Sequence, residues 1–412
     1  MTLTLTDTNK LINIPFKKRT NCIICGAASD EPLIELPNFP LTGIYTGEKM
    51  EQTTTKIAFA DQSFHLCTNC GHGQISNIID PDILYDSTYC FRTSASKTAI
   101  KANDIFLSFI NRITGNRHFK NIVEIGCNDL YLLNSLSCKS EQLIGIDPIL
   151  KDREQELSND KFIIIGQLFE NINLKDYASS HNMLVLCSHT FEHIDNPQVT
   201  LKKLFDYADE TTLFFFQFPG IEALVDNCRF DQIFHQHLNY FSSSSFTYLL
   251  NELGGELIDH TVNPHHWGSL LVAFKKTKNK IDRPFTDTNF EKISPAKILK
   301  NYALFKNIMQ LTGEHLETLK DEKLFGYGAA QMLPVLSYHL RNDFSAFDFI
   351  LDDDQTKEGL FYINLPVCIK SPNNLNLTEA TIVITAPDNS RQILPKAVSL
   401  NPKRIILPIS NI

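Results

Sequence analysis

The sequence predicts an α/β fold with more than one hydrophobic core, in which parallel sheets carry helices on both faces. The chain has 412 residues, which is too many for a single core. Between residues 121 and 218, short apolar runs alternate with helical segments, an order typical of parallel strands joined by crossover helices. A shorter series of the same kind lies between residues 324 and 407, and paired cysteines indicate a small region before residue 85.

The composition argues against several classes of protein. Net charge is −9, with 47 acidic and 38 basic residues, which does not favour a large nonspecific nucleic-acid surface. Apolar runs such as 213–216 are far too short to span a membrane, and residues 1–20 lack the apolar core of a signal peptide. With ten cysteines, we expect a reducing cytoplasm, where cysteine pairs more often bind metal than form disulfides. Both a monomer and a dimer are compatible with these features.

Two cysteine pairs predict a structural zinc site in a domain spanning residues 1–85. They are Cys22-Ile-Ile-Cys25-Gly26 and Cys67-Thr-Asn-Cys70-Gly71. Each CxxC turn can direct two thiolates at one tetrahedral ion, and a closed four-cysteine site leaves no open position for catalysis. His65 and His72 flank the second pair and are spare ligand candidates. We expect the six other cysteines to be small buried residues.

The first apolar strand of the central region, 121–125, ends in a turn suited to a ligand. Gly126 lets the backbone pass close to a bound group, and Asp147, at the end of the next strand, is placed to accept from ribose hydroxyls. Glycines at 128 and 130 are absent, so this is not a dinucleotide-binding fingerprint. It is closer to the looser glycine turn of methyltransferases that use S-adenosylmethionine. We expect a domain at 86–285 whose cofactor residues are Glu124, Gly126, Asn128, Asp129, Asp147, Gln167, Ser188 and His189.

Residues 230–241, here called the histidine segment, predict the reaction centre. His235 and His237 are two residues apart, and in an extended segment such side chains project to the same side. Imidazole is well matched to proton transfer near neutral pH, so we expect His235, Gln236 and His237 to carry the chemistry. The alternative is a pair of core histidines satisfied by hydrogen bonds. His189 and His193 have the same alternative, and their spacing could also bind a metal.

A second Rossmann-like domain is predicted at 286–412. Its first strand enters a helix through Gly326, Tyr327 and Gly328, which suit a pyrophosphate. Residues 352–354 end the second strand, where they are either a ribose acceptor or a solvated acidic turn. Asn389 is expected to cap a helix and could also line the cleft.

Four motifs, in order, carry a resemblance over nearly the whole chain. They are the cysteine pairs, Glu-Ile-Gly-x-Asn-Asp at 124–129, Gly-Ile-Asp-Pro at 145–148, and Asp-x-Ile-x-His-x-His-Leu-x-Tyr-Phe-Ser at 231–242. This order resembles the three-domain sugar C-methyltransferases. The resemblance implies a class I methyltransferase fold for the central domain, S-adenosylmethionine as cofactor, and methylation of a carbon beside the ketone of a nucleotide-linked deoxysugar. It also implies that the last domain helps to hold the nucleotide, and it suggests a place in polysaccharide or natural-product assembly.

The resemblance assigns roles to single residues. His237 falls on the family's histidine base, while the family's Tyr-His-Glu-His reads Phe-His-Gln-His at 234–237. Residues 84–94 are either a linker or an aromatic lid, in which Tyr89 would face the cleft. Tyr240, His266 and Ser269 are the substrate-binding candidates of this domain.

Several departures from the family keep three hypotheses open. Leu130 replaces a glycine of the cofactor turn, Gln236 replaces a carboxylate, Trp267 stands where the family has glycine, and Arg92 interrupts the lid. The first hypothesis is C-methylation with His237 as base. The second keeps the scaffold but moves the methyl group to oxygen or nitrogen, or runs another reaction. The third is a sugar-nucleotide-binding protein without catalysis.

Overall fold

A computed structural model describes residues 11–29, 31–47, 57–84, 92–265, 268–277 and 291–409. The predicted site residues Tyr89 and His266, and also Trp267, lie outside the described residues. No helix within these ranges is both long enough and apolar enough to cross a membrane.

The secondary-structure elements fall into three consecutive parts. The first contains β1 (Leu11–Asn13), β2 (Phe16–Lys18), β3 (Ile34–Pro40), β4 (Tyr45–Thr46), β5 (Ile57–Leu66), β6 (Gly73–Ile75), β7 (Asn77–Ile79) and α1 (Pro81–Leu84). The second contains α2 (Lys97–Thr114), β8 (Phe119–Ile125), α3 (Tyr131–Ser135), β9 (Ser140–Ile146), α4 (Glu154–Leu157), β10 (Phe162–Ile165), β11 (Met183–Ser188), α5 (Pro197–Tyr207), β12 (Leu213–Pro219), α6 (Ile221–Asp226), β13 (Asn239–Tyr240), α7 (Ser243–Leu253), β14 (Gly255–Asn263) and β15 (Ser269–Lys276). The third contains α8 (Pro295–Thr318), β16 (Leu324–Tyr327), α9 (Leu333–Leu340), β17 (Phe349–Leu351), β18 (Phe361–Tyr362), β19 (Ile369–Lys370), β20 (Thr381–Ile384), α10 (Ser390–Ser399) and β21 (Arg404–Ile406).

The central sheet confirms the predicted class I methyltransferase fold. Its strand order is β10-β9-β8-β11-β12-β15-β14, in which the first five strands are parallel and β15 runs antiparallel between β12 and β14. The parallel strands are almost fully buried, as expected when helices cover both faces of a sheet. The antiparallel hairpin of β14 and β15 is not predicted from the sequence. Side chains of β14 are mostly exposed or half-buried, which leaves a weak apolar signal.

Some strands pair with strands that belong to a different part of the chain. The N-terminal sheet has the order β1-β5-β6-β13, with β3 added on β5, so β13 of the histidine segment pairs with β6. A two-stranded sheet joins β18 of the third part to β4 of the first. The third part has its own parallel sheet, β19-β17-β16-β20-β21, which confirms a second Rossmann-like unit. The domain limits at residues 85 and 285 stay predictions, since these pairings cross them.

One hydrophobic core also crosses the three parts. It contains Phe39 and Phe64 of the first part, Phe234 of the histidine segment, and Phe305 and Leu336 of the third part. The histidine segment therefore lies in the interior, packed between the other two parts, rather than in an exposed surface loop.

A buried ion cluster holds the start of the histidine segment. Arg229 is fully buried; its guanidinium donates to both carboxylate oxygens of Asp231 at 2.8 and 2.7 Å and to Asp388 of the third part at 2.6 Å. Burial disfavours the guanidinium charge, but Asp231 and Asp388 outweigh it and raise the pKa of Arg229. This cluster ties the histidine segment to the end of β20.

We expect Arg229→Met to lower the free energy of unfolding by about 3–5 kcal/mol, because it leaves the buried carboxylate of Asp231 without its counter-charge. The measurement is urea unfolding followed by circular dichroism. Arg153→Met is the control: Arg153 is half-exposed in an ion pair with Glu156, and its loss should leave the unfolding midpoint close to that of wild type. Equal unfolding midpoints for the two variants would contradict the structural role given to Arg229.

Candidate functional site

The four predicted zinc ligands lie together. The Sγ atoms of Cys22 and Cys70 are 3.6 Å apart, those of Cys25 and Cys67 are 3.5 Å apart, and all four lie within 4.8 Å of one another. A tetrahedral zinc ion with Zn–S bonds of about 2.3 Å needs sulfurs roughly 3.8 Å apart, so the four thiolates fit this ion. The donor set has no open position, which makes the site structural. It is formed between two turns, each followed by a glycine with positive φ, Gly26 and Gly71.

The spare ligand candidates lie outside this cluster. His72 is fully buried and packs its ring against Phe241, with centroids 4.9 Å apart. His65 Nε2 is 3.0 Å from the hydroxyl of Ser63. Within the described residues, the metal-binding group at this position therefore contains the four cysteines alone.

Residues 126–130, here called the cofactor turn, have the backbone of a glycine-rich loop, although only residue 126 is a glycine. Gly126, Asn128 and Leu130 all have positive φ, at 74°, 46° and 64°. For Asn128 and Leu130 this conformation is strained, by about 1–3 kcal/mol each. The side chain of Leu130 is buried in the core with α2 and α3, so it is directed into the protein interior. The sequence predicts that the Leu130 side chain crowds the cofactor turn. In the structure, Leu130 differs from the family's glycine by a strained backbone instead.

Asp147 closes the cofactor turn. Its carboxylate accepts from the backbone amide of Asn128 at 2.8 Å and from that of Ile149 at 3.0 Å. Burial raises the pKa of Asp147, against the effect of those two amides and of the nearby Arg92. Thr190 occupies the space where a side chain at position 126 would lie, because a Cβ on Gly126 would overlap the hydroxyl of Thr190. Gly126 thus allows close packing with the loop after β11, and its contact with a ligand stays a prediction.

Two further carboxylates have buried oxygens that accept no hydrogen bond from the described residues. They are Oε2 of Glu124 and Oδ1 of Asp129, whose other oxygen accepts from the amide of Ser94 at 2.7 Å. Burial, followed by the charges of Asp147 and Asp129, raises the pKa of Glu124 well above its usual range. A cation with amino and hydroxyl donors suits such a group of acceptors. S-adenosylmethionine, with its sulfonium, ammonium and ribose hydroxyls, therefore fits these residues.

The other predicted cofactor residues end neighbouring strands. Gln167 is exposed just after β10, where it is free to line the cleft rim. Ser188 accepts from Gln217 at 2.7 Å. His189 has its Nε2 3.3 Å from the hydroxyl of the buried Ser269, and burial lowers the pKa of His189 to about 4. The predicted residues Ser188, His189 and Ser269 therefore meet at one end of the sheet.

His237 lies in a cluster that the sequence predicts only in part. Its ring is 5.0 Å from that of His193 and 4.2 Å from that of Phe234, measured between centroids. Donor atoms of Glu192, His193 and His237 all lie within 4.8 Å of one another. Burial, followed by the charges of His193 and His189, lowers the pKa of His237 well below its usual value. The imidazole is therefore neutral at pH 7.

The prediction that His235 and His237 project into one cleft is wrong. The segment is not extended: the amide of His237 donates to the carbonyl of Phe234 at 3.2 Å, which forms a turn and sends the two rings apart. His235 instead contacts Gln62 of β5 at 3.1 Å and the carbonyl of Phe39 at 3.3 Å. It is a buried histidine satisfied by hydrogen bonds.

Gln236 and Tyr240 also differ from expectation. The side-chain amide of Gln236 donates to the backbone carbonyl of Leu84 at 3.0 Å, so this side chain is directed toward the N-terminal part and binds there. Tyr240 is 1% exposed, and its hydroxyl donates to the carbonyl of Gln232 and accepts from the amide of Phe234, both at 3.2 Å. Tyr240 thus stabilises the histidine segment through these two hydrogen bonds, and its side chain is too buried to contact a substrate.

Glu192 is the residue that sequence reasoning missed. It precedes His193 directly, in the loop after β11, and it is 1% exposed. A carboxylate at the end of a buried parallel strand, beside a histidine, is the signal that could have indicated it.

The third part repeats the arrangement of the cofactor turn. Asp352, after β17, accepts from the amide of Ala329 at 2.7 Å, as Asp147 accepts from Asn128. Gly328 has φ of +106°, and the amino group of Lys357 donates to the carbonyl of Ala329 at 3.0 Å. The space beside Gly326 is filled by Ile350 and Thr385, the Tyr327 hydroxyl donates to Asp353 at 2.8 Å, and Asn389 sits at the N-cap of α10 without a capping bond from its side chain.

Comparison with protein families agrees with this architecture. A family described as "Methyltransferase domain" matches residues 99–260, and one described as "Putative zinc binding domain" matches residues 22–85. The predicted resemblance is confirmed for both the methyltransferase domain and the zinc-binding domain. The chain carries a methyltransferase domain behind a zinc-binding domain, and the cofactors that these domains take are S-adenosylmethionine and zinc.

Individual relatives are distant. The C-methyltransferase NovU of Streptomyces niveus is 25% identical over 263 residues, which are 61% of this chain and 59% of NovU. The chain thus spans less than two thirds of the length of that relative. Among solved structures, the N-methyltransferase NodS of Bradyrhizobium japonicum WM9 matches with a TM-score of 0.34 and 11% identity, covering 43% of this chain and 98% of NodS. The magnesium protoporphyrin IX methyltransferase of Synechocystis PCC 6803 matches with a TM-score of 0.32 and 10% identity, covering 43% and 81%. Likenesses of this strength carry no argument about function.

Removal of one zinc ligand should release the ion. We expect about one zinc per wild-type chain, since the four-cysteine cluster has one centre, and loss of that zinc together with a lower melting temperature in Cys70→Ser, because ion binding contributes to folding. Inductively coupled plasma mass spectrometry after dialysis measures the metal. Cys138→Ser, at an exposed cysteine, is the matched control. Full zinc content in Cys70→Ser would show that the four thiolates are not the ligands.

A second prediction concerns Gln236. The family resemblance suggests that Gln236→Glu restores a useful carboxylate, but the side chain faces the Leu84 carbonyl. We expect Gln236→Glu to lower the free energy of unfolding by about 1–3 kcal/mol, because two acceptors would meet without water. Gln236→Met, which removes the hydrogen bond without adding charge, separates the two effects. A glutamate variant at least as stable as wild type in urea would overturn the assigned contact.

Proposed function

We propose that this protein transfers a methyl group from S-adenosylmethionine to a carbon beside the ketone of a nucleotide-linked deoxysugar, with His237 as base. The observation that carries the proposal is the loop after β11. Thr190 of this loop packs directly on Gly126 of the cofactor turn, while Glu192 and His193 of the same loop lie beside His237. The loop after β11 therefore contacts both the cofactor turn and a neutral buried imidazole.

The residues around the cofactor turn would hold the cofactor. Asp147 would face the ribose, as acidic residues do at the end of the second strand of such units. Glu124 and Asp129 offer buried acceptors to the amino group, and a bound cation would favour the ionised form of Glu124, whose pKa burial raises. When bound, S-adenosylmethionine supplies an electrophilic methyl group on a sulfonium ion.

His237 suits the role of base for two reasons. Its lowered pKa keeps the imidazole neutral at pH 7, and its buried Nδ1 atom accepts no hydrogen bond from the described residues. The base takes the proton beside the ketone, and the electron pair of the broken C–H bond delocalises onto the ketone oxygen. One positioned base contributes about 10²–10⁴ in rate.

The third part supports a nucleotide-linked substrate. Its glycine turn lies at the carboxyl end of a parallel sheet, the usual position for such ligands, and Lys357 adds a positive charge beside it. Asp388, just after β20, is bonded to Arg229 at the start of the histidine segment. This hydrogen bond would link a nucleotide site in the third part to the proposed reaction centre in the histidine segment.

The test combines cofactor binding with location of the methyl group. Calorimetry should show binding of S-adenosylhomocysteine. Incubation with ¹³C-methyl-labelled cofactor and thymidine diphosphate 4-keto-6-deoxyglucose, as a representative probe, should place the label on a ring carbon by NMR. We expect His237→Ala to keep cofactor binding and to lose about 10² or more in rate. A label on oxygen or nitrogen would favour the alternative chemistry, and absence of cofactor binding would reject the proposal.

A further inference from the structure

Glu192 is a buried carboxylate that neither the zinc site nor the cofactor turn explains. It is 1% exposed, and within the part of the chain that is described neither of its carboxylate oxygens accepts a hydrogen bond. The nearest ring nitrogen of His189 is 3.4 Å from Oε1. A charged group this deep costs several kcal/mol unless it is compensated, so a protein keeps one where it is needed.

The position of Glu192 is fixed by the backbone. Its carbonyl accepts from the amide of Leu238 at 2.9 Å, which joins the loop after β11 to the histidine segment next to His237. The Asn239 side chain donates to the same carbonyl at 3.4 Å and to that of Ile194 at 2.7 Å. The carboxylate and the imidazole are thus held on two segments that hydrogen-bond to each other.

The neighbouring histidine is also oriented by backbone. Nδ1 of His193 is 2.7 Å from the carbonyl of Gln236, which sets the direction of its ring. Gln236 therefore contributes through its main chain, while its side chain is directed away toward Leu84. The carboxylate that lies near His237 therefore comes from position 192 and not from position 236.

We propose that Glu192 is a positioning residue for the reaction, the carboxylate that orients the imidazole of His237 and stabilises the imidazolium formed when His237 takes the substrate proton. This inference rests on the proposed function. In that step the C–H bond breaks, its proton goes to His237, and its electron pair forms the enolate. The enolate carbon then bonds to the methyl group as the bond from that methyl to sulfur breaks, and the proton leaves His237 to solvent afterwards.

The ionisation of Glu192 should appear in the pH profile. Burial raises the pKa of Glu192 to about 7, an effect that the charge of His193 opposes. Because the carboxylate must be ionised to stabilise an imidazolium, the rate should fall as the pH decreases through about 7. The titratable groups that face the pair are Cys187, His189, His193 and Tyr240.

The experiment compares Glu192→Gln, Glu192→Asp and Glu156→Gln, the last at an exposed carboxylate far from the pair. Single-turnover methylation of the probe sugar nucleotide is followed against pH, together with S-adenosylhomocysteine binding. We expect Glu192→Gln to bind the cofactor as wild type does, to be about 10² or more slower, and to lack the step near pH 7. Glu192→Asp should retain the step. A Glu192→Gln enzyme with wild-type rate and profile would overturn the proposal.

A second readout does not depend on the substrate. In protein labelled with ¹³C-histidine, with the His237 signal assigned through His237→Asn, that signal should change near pH 7 as Glu192 ionises beside it, and Glu192→Gln should abolish this change. The same change in both proteins would overturn the pairing even if the probe is not a substrate, whereas absent methylation with the change abolished in Glu192→Gln would reject the proposed function alone. A second metal equivalent lost in Glu192→Gln would also overturn it.

Discussion

Burial of Arg229 between Asp231 and Asp388 is the interaction on which the geometry of the reaction centre depends. A guanidinium without contact to solvent is tolerated only where carboxylates surround it, so the chain from 229 onward must dock against the third part. At the other end of the histidine segment, β13 pairs with β6 of the N-terminal sheet. Residues 233–238 are held between these two anchors. The turn that sends His237 toward Glu192 and His235 toward Phe39 follows from this confinement.

The zinc site acts on the same region through packing. Cys22, Cys67 and Cys70 belong to one hydrophobic core with Phe191 and Phe241. The rings of Phe191 and Phe241 stack with centroids 5.0 Å apart, and Phe191 immediately precedes Glu192. A zinc ion at this site would stabilise a layer of aromatic side chains next to the loop after β11. A closed structural site can in this way support that loop without touching any reactant.

Local patterns predict much of this protein. The spacing of cysteines predicts the zinc cluster, and β10 is predicted at its observed limits, because short apolar runs bounded by turn residues have few alternatives. Asp147 follows from its place at the end of a second strand. The same reasoning fails where long-range contacts decide the backbone. Leu130 adopts a left-handed conformation that its residue type disfavours, which only the surrounding packing can enforce.

The histidine segment shows the limit most clearly. Side chains two residues apart point to the same side only in an extended chain. The histidine segment instead forms a turn, because its anchors lie more than a hundred residues away in sequence. Glu192 was missed because its partner lies in another segment. The central claim is that the cofactor turn and the Glu192–His237 pair face one cleft. A crystal structure with S-adenosylhomocysteine bound tests it most directly. The account predicts the ribose against Asp147 and the sulfur directed toward His237; a sulfur directed away from His237 would contradict it.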